Sequence, residues 1–141
     1  MFVIDTNVVS EPMKPKPDER VLTWLDRQDP PKLFFTAISY AEVVVGLAWM
    51  PDGRRKRNLE VLFARLVERH FGDRILPFDL DAAIAATHVI NRARASGYNF
   101  TREDGQIAAI AAARGFAVAT RDVEPFEAAG IAVVNPWNAD V

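Results

Sequence analysis

Four acidic residues in this 141-residue chain stand where chemistry could be done: Asp5, Glu42, Asp104 and Asp122. Asp5 follows the apolar run Met1–Ile4, and Asp122 follows Val118-Ala119-Thr120. Glu42 falls early in a helical stretch entered from Leu33-Phe34-Phe35, and Asp104 early in an alanine-rich stretch. In an open parallel sheet, ligands gather beyond the carboxyl ends of the strands, which is where these acids would meet. Carboxylates brought together in a partly desolvated cleft repel, and without a cation some must take up protons. A hard divalent ion resolves the conflict, and Mg²⁺ (with Mn²⁺ as a substitute) prefers carboxylate and water oxygens. Such an ion acidifies a bound water and neutralises charge on a phosphate, so the expected chemistry is metal-assisted phosphodiester hydrolysis.

Each acid also has a plainer role. Ser39-x-x-Glu42 and Thr101-x-x-Asp104 both match the helix capping box. Asp5 and Asp122 suit turns after strands. Capping and metal binding are compatible, because a helix start tolerates a carboxylate.

Composition narrows the field. The chain has no cysteine and two histidines, His70 and His88, so thiolate chemistry and histidine-rich metal sites are excluded. Any metal must be held by oxygen. Half the residues are hydrophobic and 26% are charged, as in a globular domain. The formal charge of −2 argues against coating nucleic acid by bulk positive charge, but leaves room for a local basic groove. No leader is visible and the apolar stretch Val43–Met50 is too short to span a bilayer, so a cytoplasmic protein with no membrane role is expected.

The elements that must position the acids follow from periodicity. Strands are expected at Met1–Ile4, Leu33–Phe35, Arg74–Phe78, Ala117–Ala119 and Ile131–Val134. Glu11 to Pro17 holds three prolines and cannot be helical throughout. Helices are expected around Val21–Leu25, over Ser39–Met50, through Leu59–Leu66, over Leu80–Ser96 and over Arg102–Arg114, with Gly97 and Gly115 as stops. In the fourth of these, Leu80, Ile84, Thr87 and Ile90 share one face. Alternating strands and helices indicate a single α/β domain over residues 1–141, with a mostly parallel sheet covered on both faces.

The ordered set of short motifs resembles the PIN-domain ribonucleases of VapC-type toxin–antitoxin systems, especially the FitB-like subgroup. The matching pieces are MFVIDTNVVSEP at Met1–Pro12, TAISYAE at Thr36–Glu42, ILPFD at Ile75–Asp79, DGQIAAIA at Asp104–Ala111, ATRD at Ala119–Asp122 and NPW at Asn135–Trp137. The resemblance implies a three-layer α/β/α sandwich and a metal-dependent endoribonuclease acting as the toxin of a type II pair. It implies Asp5 and Asp104 as the principal Mg²⁺ ligands, with Glu42 and Asp122 completing the cluster. Many relatives carry Asn where this chain has Asp122, which adds a charge to the pocket. Gly105 replaces a common Ala and should loosen the first turn of its helix. Thr6, Asn7 and Thr120 are expected to orient acids, water or the loop, or simply to satisfy turns. As partners the resemblance implies an RNA substrate, a homodimer, a VapB-like or FitA-like antitoxin that enlarges the assembly, and promoter DNA reached through that antitoxin.

Arg54-Arg55-Lys56-Arg57 is the one dense basic run. It either guides an RNA backbone by releasing counterions or is a solvated helix face. Val43, Val44, Val45, Leu47 and Trp49 surround more than one face of their helix, to be buried in the core or against another chain. Trp137 is expected to pack the chain end, and His70 and His88 to be surface or core residues. A phosphoacceptor receiver would need a late lysine, and none follows Lys56; a haloacid-dehalogenase-like phosphatase would need Asp where Asn7 stands. Phosphate-loop, dinucleotide and serine-nucleophile fingerprints are absent. The remaining alternative is a catalytically degenerate PIN module that only binds an antitoxin or serves as a scaffold.

Overall fold

Three residues of alternating direction set the architecture. In β1 (Phe2–Ile4), Val3 faces one layer of helices and Ile4 the other, and both are fully buried. The same alternation places Phe34 and Phe35 of β2 (Leu33–Thr36), and Val118 and Ala119 of β4 (Ala117–Ala119), on opposite faces. Strands buried on both sides read as short apolar runs, as these do. With β3 (Ile75–Leu76) and β5 (Val133–Val134) they form a five-stranded sheet of order β3-β2-β1-β4-β5, every neighbouring pair parallel. This is a computed structural model, and it describes residues 1–139.

One face carries α1 (Thr6–Ser10), α2 (Glu19–Arg27), α3 (Ala37–Ala48) and α4 (Arg54–His70); the other carries α5 (Leu80–Ala95), α6 (Arg102–Arg114) and α7 (Val123–Ala128). The result is the expected three-layer α/β/α sandwich. The first layer is filled by large side chains, with Phe35 stacked on Phe71 at 4.9 Å between ring centres. In the second, α6 buries alanines beside isoleucines: Ile107, Ala108, Ala109, Ile110 and Ala111 are all enclosed.

That small-residue packing explains one difference from the periodicity. α5 turns Ala82, Val89 and Ala93 inward, while Leu80 and Ile84 are 75% and 68% exposed. Close approach of α5 to α6 selects methyl-sized side chains and rotates the larger ones outward. Gly105 belongs to the same interface: a Cβ there would stand 3.1 Å from Ile90 Cδ1. Its lack of a side chain therefore makes room for Ile90, beyond any loosening of the helix.

Two helices are absent from the sequence reading. α1 begins directly at Asp5, whose carboxylate caps it by accepting from the Thr6 amide. α7 contains Pro125 in its first turn, where the missing N–H costs nothing. The Glu11–Pro17 connection is a short 3₁₀ turn over Glu11–Met13 followed by loop, in keeping with its prolines.

Candidate metal centre and active site

Asp5 is the innermost of the four candidate acids, 4% exposed, fixed by two hydrogen bonds. Oδ1 accepts from the Thr6 amide at 2.8 Å, and Oδ2 accepts from the Thr120 hydroxyl at 2.8 Å. Thr120 Oγ1 in turn accepts from the Asp122 amide at 3.0 Å and from Asn7 Nδ2 at 3.4 Å. One hydroxyl thus ties the end of β1 to the end of β4, with its donor and both acceptor sites used. Asn7 Oδ1 completes the tie by accepting from the Arg121 amide at 3.4 Å.

Glu42 lies on α3, and its Oε1 accepts from the Thr6 hydroxyl at 2.9 Å. The capping box expected at Ser39 is not formed. Thr36 at the end of β2 is the cap, its hydroxyl accepting from the Ser39 amide at 3.0 Å, so α3 starts two residues earlier. Glu42 is thereby freed from the helix start. Ser39 Oγ is the one buried side-chain polar atom without a partner among the described residues. At α6 the Thr101 half of the expected box is present, with Thr101 Oγ1 accepting from the Asp104 amide at 3.1 Å. Asp122 precedes α7 without a side-chain capping bond, which leaves its carboxylate exposed and unengaged.

The electrostatics connect these groups. Burial, reinforced by Asp104 and Glu42, lifts the Asp5 carboxyl to about 6 against the pull of Thr120 and Thr6. Asp104 is raised chiefly by burial, with Asp122 and Glu103 adding to it and Thr101 opposing. Glu42 is raised by burial, with Asp104 and Glu103 adding and Thr6 opposing. Asp5, Glu42, Asp104 and Asp122 thus form a chain of mutual repulsion along the carboxyl edge of the sheet. As the side chains stand, no three acidic or imidazole groups among the described residues are drawn close enough to enclose an ion. Each carboxylate is satisfied by a threonine or by solvent where it stands, and repulsion keeps the group spread.

The donor set nevertheless suits a hard cation. Every available ligand is oxygen, and Asp5, with two of roughly four acceptor positions in use, keeps one on each oxygen.

Sequence reasoning passed over Arg121. Its guanidinium lies 5.0 Å from the centre of the Trp137 ring, between Thr120 and Asp122 in the chain. Trp137 is buried, as expected, and serves as a platform for the Arg121 guanidinium. The tripeptide Thr120-Arg121-Asp122 was the available signal. His70 is buried at the end of α4 and His88 exposed on α5, both away from the acids.

Residues 2–131 match the PIN domain family. The chain belongs to the PIN-domain family. This PIN domain is 46% identical over 137 residues to the VapC ribonuclease Y4jK of Sinorhizobium fredii, covering 97% of the chain and 98% of the relative. It is 39% identical over 138 residues to Toxin FitB of Neisseria gonorrhoeae, covering 98% and 99%. A solved structure of FitAB bound to an IR36 DNA fragment matches it with a TM-score of 0.91 at 38% identity, covering 100% of this chain and 99% of that one.

Beside the acids of this PIN domain, a cleft of 520 Å³ is lined by Ile38, Ala41, Glu42, Val45, Gly46, Trp49, Glu103 and Gln106. α3 buries Val43 and Leu47 but leaves Val45 43% and Trp49 83% exposed. No helix among the described residues is long and apolar enough to cross a membrane.

Proposed function

We infer that this PIN domain is a divalent-metal-dependent endoribonuclease and the toxin of a type II toxin–antitoxin pair. The observation that carries the reading is that Asp5, Glu42 and Asp104 are desolvated on one rim within one another's field, with Asp5 lifted to about 6 chiefly by burial. Carboxylates kept there at a cost to their own ionisation suit a site that works with a cation. The names VapC ribonuclease and Toxin FitB, borne by relatives aligned over nearly the whole chain, support it.

Asp5 and Asp104 would hold Mg²⁺ or Mn²⁺, with Glu42 and Asp122 completing the set. When bound, the ion supplies neutralising charge and an acidified water. The protein's own groups do the rest. Thr120 fixes the Asp5 carboxylate, and Thr6 fixes one oxygen of Glu42, whose second oxygen would accept a proton from the attacking water. Hydrolysis joins the water oxygen to phosphorus, breaks one ester P–O bond, and returns a proton to the departing oxygen.

The cleft beside Glu42, with exposed Val45 and Trp49, is the surface proposed for the antitoxin or a second copy of the chain. The solved structure of FitAB bound to an IR36 DNA fragment supports an antitoxin partner and a complex that engages DNA, for which promoter DNA is the proposed target. Cleavage of RNA in Mg²⁺ or Mn²⁺, lost in Asp5→Asn and Asp104→Asn, is the expected result. Cleavage that persists undiminished in both variants contradicts the site, and no cleavage by the parent chain supports the degenerate scaffold instead.

A further inference from the structure

The basic run does not act as one surface. Lys56 turns its ammonium to the Ala48 carbonyl at 3.3 Å and to Asp52 at 3.2 Å. Arg54 and Arg55 instead line a 540 Å³ groove together with Lys14, Asn58 and the apolar Met13, Pro15 and Leu59. No acidic residue lines it. In a chain of net charge −2, Arg54 and Arg55 beside a lysine paired with Glu11 concentrate positive charge over one groove.

We propose that the Lys14–Arg54–Arg55 groove is the track for the RNA strand flanking the scissile phosphate, its cations on phosphates and its apolar floor under ribose and base. The proposal rests on the ribonuclease reading. Two observations carry it. The groove is within reach of the site: α1 and the 3₁₀ turn lead from Asp5 to Lys14 over eight helical residues, a rise of roughly 15 Å. Glu11, 3% exposed, holds the bend in place, accepting from Lys14 Nζ at 2.9 Å and from the Asp18 amide at 3.4 Å. A buried carboxylate spent on posing a surface lysine fixes where that charge is presented, and Lys14 keeps two further N–H donors for a ligand.

Single-strand binding releases counterions in proportion to the phosphates neutralised, by about 0.7 in log–log salt slope for each. The test uses the Asp5→Asn chain with Mg²⁺ and a labelled single-stranded RNA, titrated from about 50 to about 200 mM salt. Adding Lys14→Ala, Arg54→Ala and Arg55→Ala should lower the slope by about 2 and weaken binding more than tenfold at low salt. The Arg54→Gln, Arg55→Gln pair, which leaves Glu11 its partner, should lower the slope by about 1. A charge-matched control, Lys32→Ala with Arg69→Ala and Arg114→Ala, removes cations that precede β2, β3 and β4 at the opposite edge, and should change little.

Unchanged slope in both groove variants overturns the proposal, as does an equal loss in the control. Unchanged RNA binding with loss of antitoxin binding overturns it in favour of a protein-docking groove. In each of these outcomes the unmutated chain still cleaves RNA. Failure of the unmutated chain to cleave RNA is the separate result that overturns the ribonuclease reading, and the track with it.

Discussion

The Thr120 hydroxyl, fully buried, donates to Asp5 Oδ2 at 2.8 Å while it accepts the Asp122 amide at 3.0 Å. Two acids 117 positions apart are therefore registered through one side chain. Thr120→Val should cost about 1–3 kcal/mol in denaturant unfolding, because a buried carboxylate oxygen and an amide lose their partner. It should also reduce RNA cleavage at least tenfold, whereas Thr120→Ser should keep most of both. Equal behaviour of the Val and Ser variants would remove Thr120 from the site.

Stability should fall as pH rises through the carboxylate range when divalent ions are absent. Asp5 has a folded value of about 6 against an ordinary 3.8, so the folded state binds the proton more tightly. Its stabilisation is complete below about pH 4 and is lost as pH passes about 6, on the order of 3 kcal/mol. Glu42 and Asp104, also raised, act in the same direction. Asp5→Asn should flatten this dependence and raise the neutral-pH melting temperature, as measured by calorimetry in chelator. A parent and variant with parallel pH profiles would refute it.

Divalent metal should reverse that penalty. Mg²⁺ at about a hundred times its dissociation constant stabilises by about 2.7 kcal/mol through linkage, a rise of several degrees in Tm for a domain of this size. The shift should vanish in Asp5→Asn and Asp104→Asn and survive in the Lys32→Ala variant. A melting temperature indifferent to saturating Mg²⁺ would exclude these acids as its ligands.

The start of α3 offers a sharp contrast between neighbouring hydroxyls. Thr36→Ala should cost about 1–2 kcal/mol, since its oxygen caps the Ser39 amide. Ser39→Ala should be neutral or stabilising by about 1 kcal/mol, because that buried hydroxyl has no partner. The reverse order in urea unfolding would restore the Ser39 box.

Much of this was legible in the chain. Apolar runs broken by Asp5, Thr36 and Thr120 marked strand ends, because strands buried on both faces leave nothing polar until they exit the sheet. The acids followed from those exits. What stayed hidden depended on tertiary packing. α1 is a single turn, too short for periodicity to register, and α7 was masked by Pro125. The inward face of α5 was misjudged because Leu80 and Ile84 are the more hydrophobic side chains, yet a neighbouring helix of alanines admits only small ones. Lys14 and Arg54 are forty positions apart, and only the fold of the proline-rich bend brings them to one groove.

The enclosed alanines of α6 have a consequence at the rim. Asp104 rides on a helix seated between its neighbours through Ala108, Ala109 and Ala111, each wholly enclosed. Enlarging any of them pushes the helix off whichever neighbour that methyl meets, and the acid moves with it. Mutations deep in this interior should therefore register first as lost metal affinity, with the rest of the molecule still folded.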